Sequence, residues 1–240
     1  MFYVLNVAVL YNGLVWGQMD IVLTCFILFS YYFALEHKVT LSILFFVIAI
    51  NFKLQAIIFI PPLGLMLLPQ MVRIFSFREL FKWITVPLIF QILVILPFYF
   101  AGTLELMWQV ILGSFKKHES ISIDAYNIWH LIFPNLTVYE VDTVRGFLLT
   151  HKQWGLLFFF ISSFFALLPF FKLLYKGFKS GNMQELPLDK SLLVFALIPL
   201  LFFYCNTEMH ERYAHPGLIF IMIYSIRTGR PILAFTASWA

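Results

Sequence analysis

Residues 154 to 171, WGLLFFFISSFFALLPFF, run eighteen positions without a charged side chain. As a helix rising about 1.5 Å per residue this stretch is ~27 Å long, close to the ~30 Å thickness of a hydrocarbon core. Comparable apolar segments recur at 20 to 35, 39 to 51, 56 to 70, 83 to 100, 191 to 205 and 213 to 226. In lipid every backbone N–H and C=O needs an internal partner, which an isolated segment finds only as a helix. The sequence therefore predicts an all-α fold, a polytopic transmembrane bundle of about seven helical segments, two of them short. With 62% hydrophobic residues, 30 phenylalanines and a mean hydropathy of +0.90, a soluble globular domain is excluded.

The two short segments meet at NFKLQ, residues 51 to 55. A single helix from 39 to 70 would be ~48 Å long and would bury Lys53 near mid-membrane, with Pro61 and Pro62 disrupting its second half. Two helices joined at a polar apex are expected instead. The loops then alternate between two faces. One holds 36 to 38, 71 to 82, 172 to 190, Arg227 and Arg230, with ten Lys or Arg and four Asp or Glu. The other holds residues 1 to 20, the apex, the long loop 101 to 152 and 206 to 212, with six and eight. The positive-inside bias places the second face outside the cytoplasm. The net charge of +4 is thus a matter of topology, and no nucleic-acid partner is expected. Cys25 and Cys205 fall in apolar segments without metal or disulfide spacing. No removable signal peptide and no internal repeat are evident.

The long loop 101 to 152 exceeds the length at which unstructured connections are common. Its segment TLELMWQVILGSF, 103 to 115, spaces Leu104, Met107, Trp108, Ile111, Leu112 and Phe115 by threes and fours, which predicts an interfacial amphipathic helix. Asn135-Leu136-Thr137 is a glycosylation sequon, meaningful only on a eukaryotic secretory route.

Polar residues gather on the expected outer face. NTEMHERYAHP, 206 to 216, carries Glu208, His210, Glu211, Arg212 and His215. His210 and His215 are five apart, about 140° round a helix, where a zincin-type metal pair needs four. No metal site and no cofactor is required; a divalent metal is suggested by the ligand types alone. An arginine beside a histidine suits an anion better, because the guanidinium fork matches phosphate oxygens. Lys53 and Gln55 add a cation and an amide, and Trp16, Gln18 and Asp20 open the first span. Asn127 and Trp129, in AYNIWHLIFP, read equally as an interfacial anchor or a substrate contact.

Taken in order, YNGLVWGQMD, FKLQAIIFIPP, YNIW and MHERYAHP resemble motifs of the GT-C superfamily, specifically the bacterial and archaeal relatives of the mannosyltransferases of GPI-anchor synthesis. The resemblance implies that residues 1–240 form a single transmembrane domain within a longer GT-C fold, and that the chain transfers a hexose, often mannose, from a polyprenyl-phosphate donor. The acceptor would be a glycan, lipid or protein at the extracytoplasmic side of the bilayer. It further implies a multi-pass protein of the plasma membrane in a prokaryote, or of the endoplasmic reticulum in a eukaryote. Trp16, Gln18, Asp20, Lys53, Gln55, Asn127, Trp129, Glu208, His210, Glu211 and Arg212 become the expected substrate-binding residues. Asp20 is the one catalytic candidate, because the acidic loop that precedes WGQMD in the superfamily has no counterpart here, so the chain reads as an N-terminally truncated member. A secondary transporter with its site at broken helices, or a membrane subunit without chemistry, are the alternative readings.

Overall fold

The structure, a computed structural model, describes residues 10–15, 17–113, 121, 125–133, 143 and 147–233. Trp16 and the sequon lie outside the described residues, as do the side chains of Asn12 and Glu211. The described residues form an all-α bundle: α1 (Asp20–Leu35), α2 (Val39–Phe52), a 3₁₀ segment (Leu54–Phe59) running into α3 (Ile60–Arg73), and α4 (Phe77–Phe100). Then come α5 (Leu104–Gly113), α6 (Ile128–Ile132), α7 (His151–Ser180), α8 (Leu188–Cys205), a 3₁₀ turn (Glu211–Ala214) and α9 (His215–Thr228). Four stretches are long and apolar enough to cross a membrane: Leu54–Arg73, Phe77–Phe100, His151–Ser180 and Leu188–Cys205. The chain is a membrane protein.

The break at Lys53 falls where the sequence places it. Lys53 itself is extended, with φ −158°, between α2 and the 3₁₀ segment. Pro61 and Pro62 do not interrupt anything, because they occupy the first turn of α3, where no N–H is needed. The long helices exceed their predicted bounds. Ser76 caps α4 by accepting from the Glu79 N–H (3.2 Å), so the helix starts at 77 rather than 83. Thr150 and Gln153 form a capping box that starts α7 at 151 rather than 154, and Gly181 at φ 68° ends it only after 180. Lys172, Lys176 and Lys179, assigned to a loop from sequence, extend this helix as a polar last stretch whose stems can snorkel. The amphipathic pattern at 103 to 115 becomes α5, none of whose residues is buried.

Short connections make successive helices antiparallel, and polar contacts fix the two ends. At the basic end Gln70 Nε2 donates to Ala34 O (2.7 Å), Arg73 pairs with Glu185 (2.9 Å), and Arg227 pairs with Asp189 (2.6 Å). Between the ends, Ser30 and Ser42 donate to each other's carbonyl oxygens at 2.8 Å, which draws α1 and α2 together as small residues do in lipid. Gly217 lets α9 lie on α8, since a β-carbon there would stand 2.8 Å from Ala196 O. The core closes where Tyr31, Phe59, Phe195 and Phe220 interlock, the Tyr31 ring lying 4.7 Å from Phe195 and 5.3 Å from Phe220. Each such aromatic pair contributes ~1 kcal/mol beyond burial.

Helix α4 packs mainly against α2 and buries only Trp83 and Pro87. Asn51 and Gln91 exchange amide hydrogen bonds (2.8 and 3.2 Å) between these two helices. Beyond Gln91, α4 continues through residues 92 to 100, about 13 Å further. The Lys53 level, two residues past Asn51, therefore lies well below the tip of α4.

Candidate functional site

Asp20 is the first residue of α1, where the helix dipole favours a carboxylate, and it is 0% exposed. A carboxylate buried this deeply needs cationic partners, since burying an unpaired charge costs several kcal/mol. Two cations supply them. Lys53 Nζ donates to Asp20 Oδ1 from the apex between α2 and α3. Arg212 reaches Oδ2 from the turn before α9, its Nε at 3.8 Å. Their side chains retain 25% and 20% exposure, so the pairing is recessed yet open on one side.

Tyr213 joins the group. Its ring lies under the Lys53 ammonium, 4.5 Å from centroid to Nζ, and its carbonyl accepts from Gln55 Nε2 at 2.9 Å. Burial holds the Lys53 ammonium below the usual 10.5, with Asp20 opposing that shift and Arg212 reinforcing it. Residues from three distant stretches thus meet at one end of the bundle: Asp20, Lys53 with Gln55, and Arg212 with Tyr213. Gln18 is half-buried two residues before Asp20. His210 is half-buried with its ring edge-on to Tyr213 at 5.6 Å. Among the described residues no three His, Cys, Asp or Glu come close enough to hold a metal ion. Asp20 meets the two cations rather than the surface, and its carboxylate holds them in place.

Asn127 and Trp129, expected among the substrate-binding residues, bond to the end of α8. Asn127 caps α6, its Oδ1 accepting from the N–H groups of Trp129 (3.1 Å) and His130 (3.3 Å), while Nδ2 donates to Asn206 O at 3.0 Å. Trp129 Nε1 donates to Cys205 O at 2.8 Å. These are carbonyls at and just beyond the end of α8, which the helix itself leaves unsatisfied. Both side chains are buried, and the YNIW segment braces the strand of chain that leads to Arg212.

The same strand carries a feature not anticipated from sequence. Glu208 adopts φ 60°, a left-handed conformation that non-glycine residues rarely take. Its N–H donates to Ile121 O (3.2 Å), and its carboxylate pairs with Lys152 of α7. Gly155 admits the strand against α7: a β-carbon there would stand 3.0 Å from Cys205 O and 3.2 Å from the backbone of Asn206 and Thr207. Lys152, Gly155 and Ile121 had no motif to mark them. The one sequence signal was a glycine inside the bulky run QWGLLFFF. Tyr213 links this strand to the Asp20 group. Its phenol is pushed above the usual 10 by burial, with Arg212 opposing and the charges of Asp20 and Glu208 adding to the rise.

No family model, no curated protein and no solved structure matches the chain.

Proposed function

We propose that the chain is a membrane glycosyltransferase that moves a hexose, with mannose the first candidate, from a polyprenyl-phosphate carrier at the extracytoplasmic face of the bilayer. The observation that carries this reading is the convergence of Lys53 and Arg212 on one buried carboxylate at a recessed, half-open position. Breaking the bond between a sugar and a lipid phosphate puts negative charge on the departing oxygen, and preorganised cations in a poorly hydrated site stabilise that charge strongly. Asp20 keeps the two cations oriented without reorganisation during the reaction. Gln55 is spent on Tyr213 and fixes the turn that presents Arg212. Asn127 and Trp129 act in the same way at longer range, holding the end of α8. The bias of ten Lys or Arg toward the opposite end supports an extracytoplasmic site. The motif resemblance supplies the sugar donor class.

The test is transfer of radiolabelled mannose from a polyprenyl-phosphate donor by purified protein in detergent or vesicles. Lys53→Ala and Arg212→Ala each lower the rate by about 10²- to 10³-fold, the usual effect of removing one donor to a developing anion. Arg212→Lys does not restore the rate, because an ammonium lacks the fork. Transfer that survives both alanine substitutions overturns the assignment. Donor-independent uptake of a solute into vesicles, abolished by the same changes, would favour a transporter instead.

A further inference from the structure

A transfer of this kind also needs a group to take the proton of the attacking hydroxyl, and Asp20 is enclosed by its two cations. Glu208 stands apart from the other described acids of this end. Its carboxylate is 18% exposed, against 0% for Asp20, and Lys152 holds it in position. Five residues from three stretches of chain converge to fix it. Asn127 and Trp129 bind the carbonyls of Asn206 and Cys205, Ile121 O takes the Glu208 N–H, Gly155 opens the space, and Lys152 anchors the side chain. All this holds a non-glycine residue at φ 60°. A strained backbone persists only where its surroundings over-determine it, and such residues cluster at working sites. Glu208 lies four residues before Arg212, on the stretch whose Tyr213 ring sits under the Lys53 ammonium, so the carboxylate belongs to the same end of the bundle as the cation pair.

We propose, resting on the glycosyltransferase reading, that Glu208 is the general base for the acceptor. The acceptor oxygen bonds to the anomeric carbon as the bond from that carbon to the phosphate oxygen breaks. The hydroxyl proton passes to the Glu208 carboxylate, and the electron pair leaves on the lipid phosphate oxygen, whose charge the exposed sides of Lys53 and Arg212 meet. Lys152 is a positioning residue that holds the base through their ion pair.

The experiment uses the full chain in vesicles, a short-chain polyprenyl-phosphate mannose donor and an alkyl mannoside acceptor. Glu208→Gln keeps size and hydrogen bonding, and lowers the transfer rate by about 10²- to 10⁴-fold, the range for a lost general base. Donor affinity, read from intrinsic tryptophan fluorescence, changes less than about twofold, because a general base acts in the transition state rather than in donor binding. The wild-type rate rises through the carboxylate range of pH, and this limb is absent from the residual rate of Glu208→Gln. Glu208→Gly accepts the left-handed backbone, folds with a melting temperature no lower than Glu208→Gln, and is equally slow. Either variant transferring at near the wild-type rate, or Glu208→Gln keeping the acid limb, overturns the proposal. A wild-type protein that binds donor but transfers nothing overturns the glycosyltransferase reading itself, and the base with it; slow variants beside an active wild type with weakened donor binding overturn only the base.

Discussion

Replacing Asp20 by asparagine keeps the shape of the side chain and removes the charge on which two cations converge. At 3.8 Å and an effective dielectric constant near 20, the Arg212 contact alone is worth about 4 kcal/mol of Coulomb attraction. Lys53 makes a closer contact. Most of this is offset in the native protein by the cost of dehydrating the charges. The attraction disappears in the variant while the dehydration of both cations remains, and Lys53 and Arg212 then repel each other. Removing one partner of a buried pair costs about 3–5 kcal/mol for this reason. In a chain of this size each kcal/mol lowers the melting temperature by ~2–4 °C, so Asp20→Asn should melt about 6–20 °C below the wild type. The assay is thermal unfolding in one detergent at fixed lipid content, followed by a cycle with Lys53→Met. The double variant should lose less than the sum of the single losses, by about 0.5–3 kcal/mol, because the methionine removes one of the stranded charges. The deficit of Asp20→Asn should also shrink as pH rises, since Lys53 without its carboxylate loses its proton more readily. A shift below about 2 °C, or strict additivity in the cycle, would refute the account of Asp20 as the holder of both cations.

Other outcomes follow from neighbouring contacts. The Lys53 pKa lies below 10.5 in the folded protein, so the folded state binds that proton less tightly than the unfolded one. Stability from this group therefore rises with pH up to about 10.5, while affinity for polyprenyl phosphate falls over the same window; Lys53→Arg abolishes the affinity change, as titrations of tryptophan fluorescence will show. At the α2–α4 contact, Asn51→Leu or Gln91→Leu strands one amide and should cost about 0.6–1.7 kcal/mol, whereas the double leucine variant recovers most of the loss in the same melts.

The helices were legible because lipid leaves the backbone no alternative and because the charged stretches mark their ends. Lys53 shows this best: a lone lysine between apolar runs could only be a break, and it is one. The convergence of Lys53 and Arg212 was legible as a shared face, but their common partner was not, since nothing local says that Asp20 turns inward. Caps moved the bounds of α4 and α7, as Ser76 and Thr150 sit among residues that hydropathy averages away. Asn127 and Trp129 read equally as an interfacial anchor or a substrate contact, because an amide and an indole serve a sugar and a helix end equally well. Their bonds to Cys205 O and Asn206 O join residues far apart in the chain, and no local pattern announces them. Glu208 was visible as a charge, yet its backbone conformation depends on Gly155 and Ile121, far off in sequence.

The first hairpin carries one more implication. With 16 and 14 residues, α1 and α2 are about 24 and 21 Å long, while α4 and α7 are about 36 and 45 Å. The outward residues Phe29, Tyr32, Leu41 and Phe52 show that the hairpin has a face of its own toward the surroundings. A hydrocarbon layer of ~30 Å overshoots that face by ~6–9 Å, and short segments are accommodated by local compression of the bilayer. Compression there would bring headgroups toward the apex that holds Lys53, and the protein should be most stable in thin membranes.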